Sequence, residues 1–120
     1  MFVFLSKTIY ERGNKKYIDV RVNPQDREYI ENLHKLHYKK RDTPFFENLD
    51  DNILTVKVPW RYNKFDYIHK GLDTLYDLSE GSQLEVTLLF KGMWDTKTAH
   101  GFSWVLQKAN TSLIRGKLFH

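Results

Sequence analysis

Cysteine is absent from the chain. Its absence excludes a disulfide framework, a thiolate metal site and a cysteine nucleophile, and fits a reducing cytoplasm. No run approaches the ~20 apolar residues of a membrane span. The opening MFVFLSK is too short for a signal peptide and has no basic segment ahead of it. Internal repeats, low-complexity tracts and long linkers are also missing. There is no phosphate-binding glycine loop and no glycine-rich dinucleotide fingerprint. Ser79, Ser82, Ser103 and Ser112 have no nearby histidine in a hydrolase arrangement. No nucleophile, base and charge stabiliser can be assembled, so the chain reads as a non-enzyme with no cofactor. At 120 residues it is a single domain, 1–120, expected in the cytoplasm without a membrane partner.

What the sequence has in quantity is rings and a positive balance. It carries three Trp, seven Tyr and eight Phe, a formal charge of +4 and a pI near 9.2. Charge is uneven. DTPFFENLDD, residues 42–51, holds four acids and no base, whereas from Lys91 onward there are five Lys/Arg and one acid. A basic domain rich in amphipathic rings is compatible with a flat, anionic partner.

Residues 2–10 read as a strand, GN at Gly13 and Asn14 as a turn, and YIDVRV as the returning strand. In that strand Ile18, Val20 and Val22 share one face. Asn23 is placed to cap a helix with Pro24 at its first position. Tyr29, Ile30, Leu33, Leu36 and His37 recur at helical spacing. DTPFFENLDD reads as irregular. NILTVKVPW is a third, central strand in which Leu54, Val56 and Val58 oppose Ile53, Thr55 and Lys57. RYNKFDYIHKGLDTLYDLSEG reads as a second helix, stopped at Gly81. Two last strands follow: Leu84, Val86, Leu88 and Phe90 share a face of one, Phe102, Trp104 and Leu106 a face of the other. This order gives a mainly β, α+β fold. A five-stranded barrel with a helix between its third and fourth strands is the OB-fold pattern. The first helix is then an extra element between the second and third strands.

Single-stranded nucleic acid needs rings to stack on its bases and cations to meet its phosphates, interleaved along one groove. Candidate rings are Trp60, Tyr62, Phe65, Tyr67, Trp94, Phe102 and Trp104. Candidate cations are Lys57, Arg61, Lys64, Lys91, Lys97 and Lys108. Phe65 and Phe90 share faces with aliphatic residues and read as core, as does at least one of Phe102 and Trp104. Trp94 is the ring expected to be exposed. His100, before Gly101, is a loop histidine expected to face solvent, where it is able to touch a phosphate or a base. His34 and His37 lie three apart on a helix but lack a third ligand at a recognised spacing, so no metal site is assigned. Glu47, Asp50 and Asp51 suggest Mg²⁺ only weakly, since adjacent loop carboxylates ordinarily face water.

The stretch EGSQLEV…GMWDTKTAHGFSWVLQKA resembles the fourth and fifth strands of small OB-fold single-stranded DNA-binding proteins. In size and layout the whole chain is similar to those encoded by bacteriophages, notably the lactococcal phage type. That resemblance implies sequence-independent cover of single strands in phage DNA replication or recombination, in the host cell cytoplasm. It also implies a homodimer or higher homo-oligomer and contacts with replication or recombination proteins. Trp60, Trp94 and Trp104 would stack, with Tyr62 and His100 beside them, and Arg61, Lys91, Lys97 and Lys108 would meet phosphates. GMWDTKTAHG would be a flexible loop that closes over the strand. The bacterial relatives end in an acidic tail; here Arg115 and Lys117, and no acid, lie in the last six residues. The residues do not separate DNA from RNA. The alternative is a viral structural or protein-interaction module whose rings cover a protein interface.

Overall fold

The structure is a computed structural model, and it describes residues 1–59 and 78–110. Seven strands and one helix occur among them: β1 Phe2–Arg12, β2 Lys15–Arg21, α1 Pro24–His37, β3 Phe45–Phe46, β4 Leu49–Asp50, β5 Ile53–Val58, β6 Gln83–Asp95 and β7 His100–Asn110. The strands form one sheet in the order β3-β7-β6-β1-β2-β5-β4. A parallel contact between Lys57 of β5 and Val105 of β7 closes a ring through β1, β2, β5, β7 and β6. No helix among the described residues is long and apolar enough to cross a membrane. The second helix expected between the third strand and Gly81 falls almost wholly outside the described residues.

The ring has an aliphatic interior because its strands alternate. Val3 and Leu5 of β1, Ile18 and Val20 of β2, Leu54, Val56 and Val58 of β5, and Leu84 and Val86 of β6 are buried together with Leu106 of β7. Each such side chain contributes roughly 1.5–3 kcal/mol by leaving water. The Gly13–Asn14 turn joins β1 to β2 with Arg12 paired to Lys15, as the sequence leads one to expect.

α1 begins as read: Asn23 caps it, its Oδ1 accepting from the Asp26 amide at 2.7 Å, with Pro24 behind it. The buried face differs from the expected stripe. Tyr29 and Leu36 are 59% and 77% exposed, while Ile30 and His34 are buried. Ile30 and His34 are one helical turn apart, so they share a face. The His34 ring nitrogen Nε2 is tolerated inside because it accepts from the indole of Trp104 at 2.8 Å.

DTPFFENLDD is not irregular throughout. Phe45 and Phe46 pair in parallel with His100 and Gly101, and Leu49–Asp50 forms a hairpin with β5. Asp51, at φ +56°, turns that hairpin, in a conformation that Asp and Asn accept more readily than most residues. The last hairpin is also tighter than expected. Met93, Trp94 and Asp95 belong to β6 and His100 and Gly101 to β7, so only Thr96–Ala99 connects them. The connection is held by Thr96, whose amide and hydroxyl both donate to the Ala99 carbonyl at 2.9 and 3.1 Å.

β6 carries a bulge at Gly92, where the register with β7 shifts. Its φ of +84° is one that glycine adopts without strain. The extra residue inverts the alternation beyond it. Phe90 meets His37 of α1 edge-on, and past the bulge it is Met93 whose sulfur lies on the same side, accepting from the Lys39 amide. Trp94 is thereby turned to the opposite side.

Candidate functional site

On that opposite side lies an open groove of about 380 Å³. Its walls come from segments far apart in sequence. Arg12 and Lys15 flank the β1–β2 turn. Tyr17 and Lys57 stand on the outer faces of β2 and β5, whose alternation turns the aliphatic residues inward. Phe46 and Trp94 close the end beside the β6–β7 turn. Among the described residues three cations line the groove and no carboxylate does.

The rings are held in place. Trp94 stands opposite Gly101 in the β6–β7 ladder, and its indole donates to the Phe102 carbonyl at 3.2 Å. A methyl group at residue 101 would sit 3.0 Å from the Trp94 ring and 2.8 Å from the Phe46 carbonyl. Glycine there lets the ring lie against the backbone of β7. Phe46 is tilted against Trp94 with centroids 6.3 Å apart, and the Arg12 guanidinium lies 5.2 Å from the centre of the Phe46 ring. Cation and rings therefore form one cluster.

A second ring cluster continues the surface along β1 and β2. Tyr10 stacks on Tyr17 at 5.9 Å, and the Lys7 ammonium lies 4.3 Å from the centre of the Tyr10 ring. The Tyr10 hydroxyl donates to Asp19 at 2.7 Å, and the Thr55 hydroxyl donates to the same oxygen at 3.0 Å. Burial, followed by the hydrogen bond to Asp19, pushes the Tyr10 phenol up to about 12. It stays a neutral donor that holds its ring against Tyr17.

The residues expected from the sequence are distributed unevenly over this geometry. Trp94 is partly exposed in the groove, as expected. Trp104 borders the groove but is only 4% exposed, packed against Phe90 at 4.9 Å and bonded to His34, so it lacks an open face for stacking. His100 is 2% exposed, contrary to the expectation of a solvent-facing loop histidine. It is the first residue of β7, covered by Phe45 and with its Nδ1 3.0 Å from the Thr43 hydroxyl. Lys91, Lys97 and Lys108 are exposed along the last hairpin but do not line the groove. Trp60, Arg61 and Tyr62 lie outside the described residues. Among the described residues no cluster of three or more His, Asp or Glu is arranged to hold a metal ion. His34 is instead committed to Trp104 and to a stack on Phe102.

Arg12, Lys15, Tyr17 and Phe46 were not singled out from the sequence. Their signal was present in part: cations on both sides of a GN turn, followed by a strand whose outer face begins with tyrosine. Comparison with known proteins adds nothing to this geometry: no family model, no curated protein and no solved structure matches the chain.

Proposed function

We propose that the chain is an OB-fold protein that covers single-stranded DNA without sequence preference and without catalysis. The observation that carries this reading is the groove itself, in which rings and cations are interleaved and to which the described residues bring no carboxylate. Rings accept any base face, and cations neutralise a phosphate chain whatever its sequence.

The sheet supports the fold part of the proposal. Counting β1, β2, β5, β6 and β7 as the five strands, the ring runs first, second, third, fifth, fourth and back to the first. OB-folds bind oligonucleotides on the face of strands two and three, between the turn joining strands one and two and the turn joining strands four and five. The groove has that location: β2 and β5 form its base, with the Gly13–Asn14 turn at one end and Thr96–Ala99 near the other. The resemblance noted in the sequence extends the proposal to phage DNA replication or recombination and to a homodimer. Single-stranded RNA is the open alternative ligand.

A protein-interaction module is the second reading. It draws on Phe2 and Phe4, both exposed on the outer face of β1, neither of which lines the groove. Equilibrium titration of labelled oligothymidine and of a duplex of equal length separates the two. The single-strand reading predicts tight, salt-sensitive binding of the oligothymidine and at least tenfold weaker binding of the duplex, about 1.4 kcal/mol. Equal affinity for both, or none for either, contradicts it.

A further inference from the structure

Residues 45–49 form a wall between two cavities. Phe46 and Asn48 line the groove, while Phe45, Glu47 and Leu49 line a second cavity of about 520 Å³ under α1. Phe102 borders both. The second cavity has the size of a small-molecule site, roughly 300–1,000 Å³.

Its aromatic surface is ordered. His34 stacks on Phe102 with centroids 4.1 Å apart and planes 7° apart. Phe45 meets Phe102 edge-on at 5.8 Å and Tyr38 edge-on at 5.7 Å. One polar group stands among these rings. The Trp104 indole, which can only donate, gives its proton to His34 Nε2 at 2.8 Å. The neutral imidazole must then carry its own proton on Nδ1, and among the described residues no acceptor meets that N–H. The cavity thus offers one fixed, uncharged ring donor beside its aromatic surface, with Arg27 and Lys35 at the rim.

The charges at the rim cancel. Arg27 and Lys35 both pair with Glu31, at 3.3 and 3.6 Å, and Glu47 accepts from the Leu49 amide. A neutral ligand fits better than an anion.

We infer that this cavity binds an uncharged heteroaromatic ring of nucleobase size, which packs against the more open Phe45 and Tyr38 rings and accepts a hydrogen bond from His34 Nδ1. The ring class stands on the cavity alone. Its identity as a nucleobase rests on the single-strand reading, with the shared Phe102 wall placing the cavity directly behind the groove.

The test is a nuclear magnetic resonance titration of the whole chain with 2′-deoxycytidine and 2′-deoxyadenosine. Indole, a ring that donates but has no comparable acceptor, is the control. The inference predicts saturable shifts of the Trp104 indole proton and the His34 ring protons with either nucleoside at millimolar concentration. It predicts no comparable shift with indole, and a still Trp94 indole. Phe45→Ser, which alters this cavity and not the groove lining, should weaken the nucleoside response about tenfold. Shifts confined to Trp94, no shifts at all, or an equal response to indole would overturn the inference. Oligothymidine binding measured in parallel keeps the two ideas apart. Oligothymidine binding with a silent Trp104 removes this site alone, and nucleoside binding without oligothymidine binding removes the single-strand reading alone.

Discussion

Replacing Arg12 and Lys15 together by alanine is expected to weaken oligothymidine binding roughly 20-fold near 0.1 M salt and to leave the fold intact. Both side chains line the groove at the β1–β2 turn, and both residues are exposed. Their binding contribution would come from releasing counterions held by the strand. For single strands each neutralised phosphate adds about 0.7 to the slope of log affinity against log salt. Losing two contacts should therefore flatten that slope by about 1.4, a readout that misfolding does not imitate. Stability should change by less than about 1 kcal/mol, because the packing lost among the described residues is the contact of exposed Arg12 with the Phe46 ring. A salt series on both proteins, with a thermal melt beside it, checks the expectation. An unchanged slope would mean that these cations meet no phosphate.

The second large effect concerns His34. Burial, opposed in part by the nearby Glu31 carboxylate, lowers its imidazole from 6.5 to about 4. The unfolded chain then binds a proton between about pH 6.5 and pH 4 that the folded chain refuses. Stability from this residue is complete above pH 6.5 and is lost as the pH falls through 4. The difference is on the order of 3 kcal/mol, a large share of the stability of a small domain. Protonation also removes the lone pair on Nε2 that accepts the Trp104 indole. His34→Gln keeps an acceptor for that indole and does not titrate. Denaturant unfolding at pH 7 and pH 4 should show the wild type losing about 3 kcal/mol more than the variant. Equal losses would show that His34 is not the acid-sensitive element.

Much of the frame is written locally. Alternation of Ile18, Val20 and Val22 with Tyr17, Asp19 and Arg21 is a strand signal, and Asn23-Pro24 is a helix start. The features that shape the site are non-local. Nothing near Gly92 says that a bulge there inverts the strand and turns Trp94 outward. His34 looks like a surface histidine until Trp104, seventy residues away, supplies its hydrogen bond. His100 sits in a polar stretch and is buried only because Phe45 and Phe46 pair beside it. The sequence drew attention to the cations of the last hairpin, where rings and lysines are neighbours in the chain. The groove takes in one cation that was expected, Lys57, and adds Arg12 and Lys15, so that its three cations come from three other strands, β1, β2 and β5.

The measurement that tests the central claim most directly is photocrosslinking of an oligothymidine in which thymines are replaced by 5-iodouracil, followed by mapping of the attached peptides. Iodouracil joins to aromatic rings that stack on it. The groove reading predicts attachment at Trp94, Phe46 and Tyr17, with the buried Trp104 unmarked. Attachment at Phe2 and Phe4 on the outer face of β1, with the groove rings untouched, would contradict it.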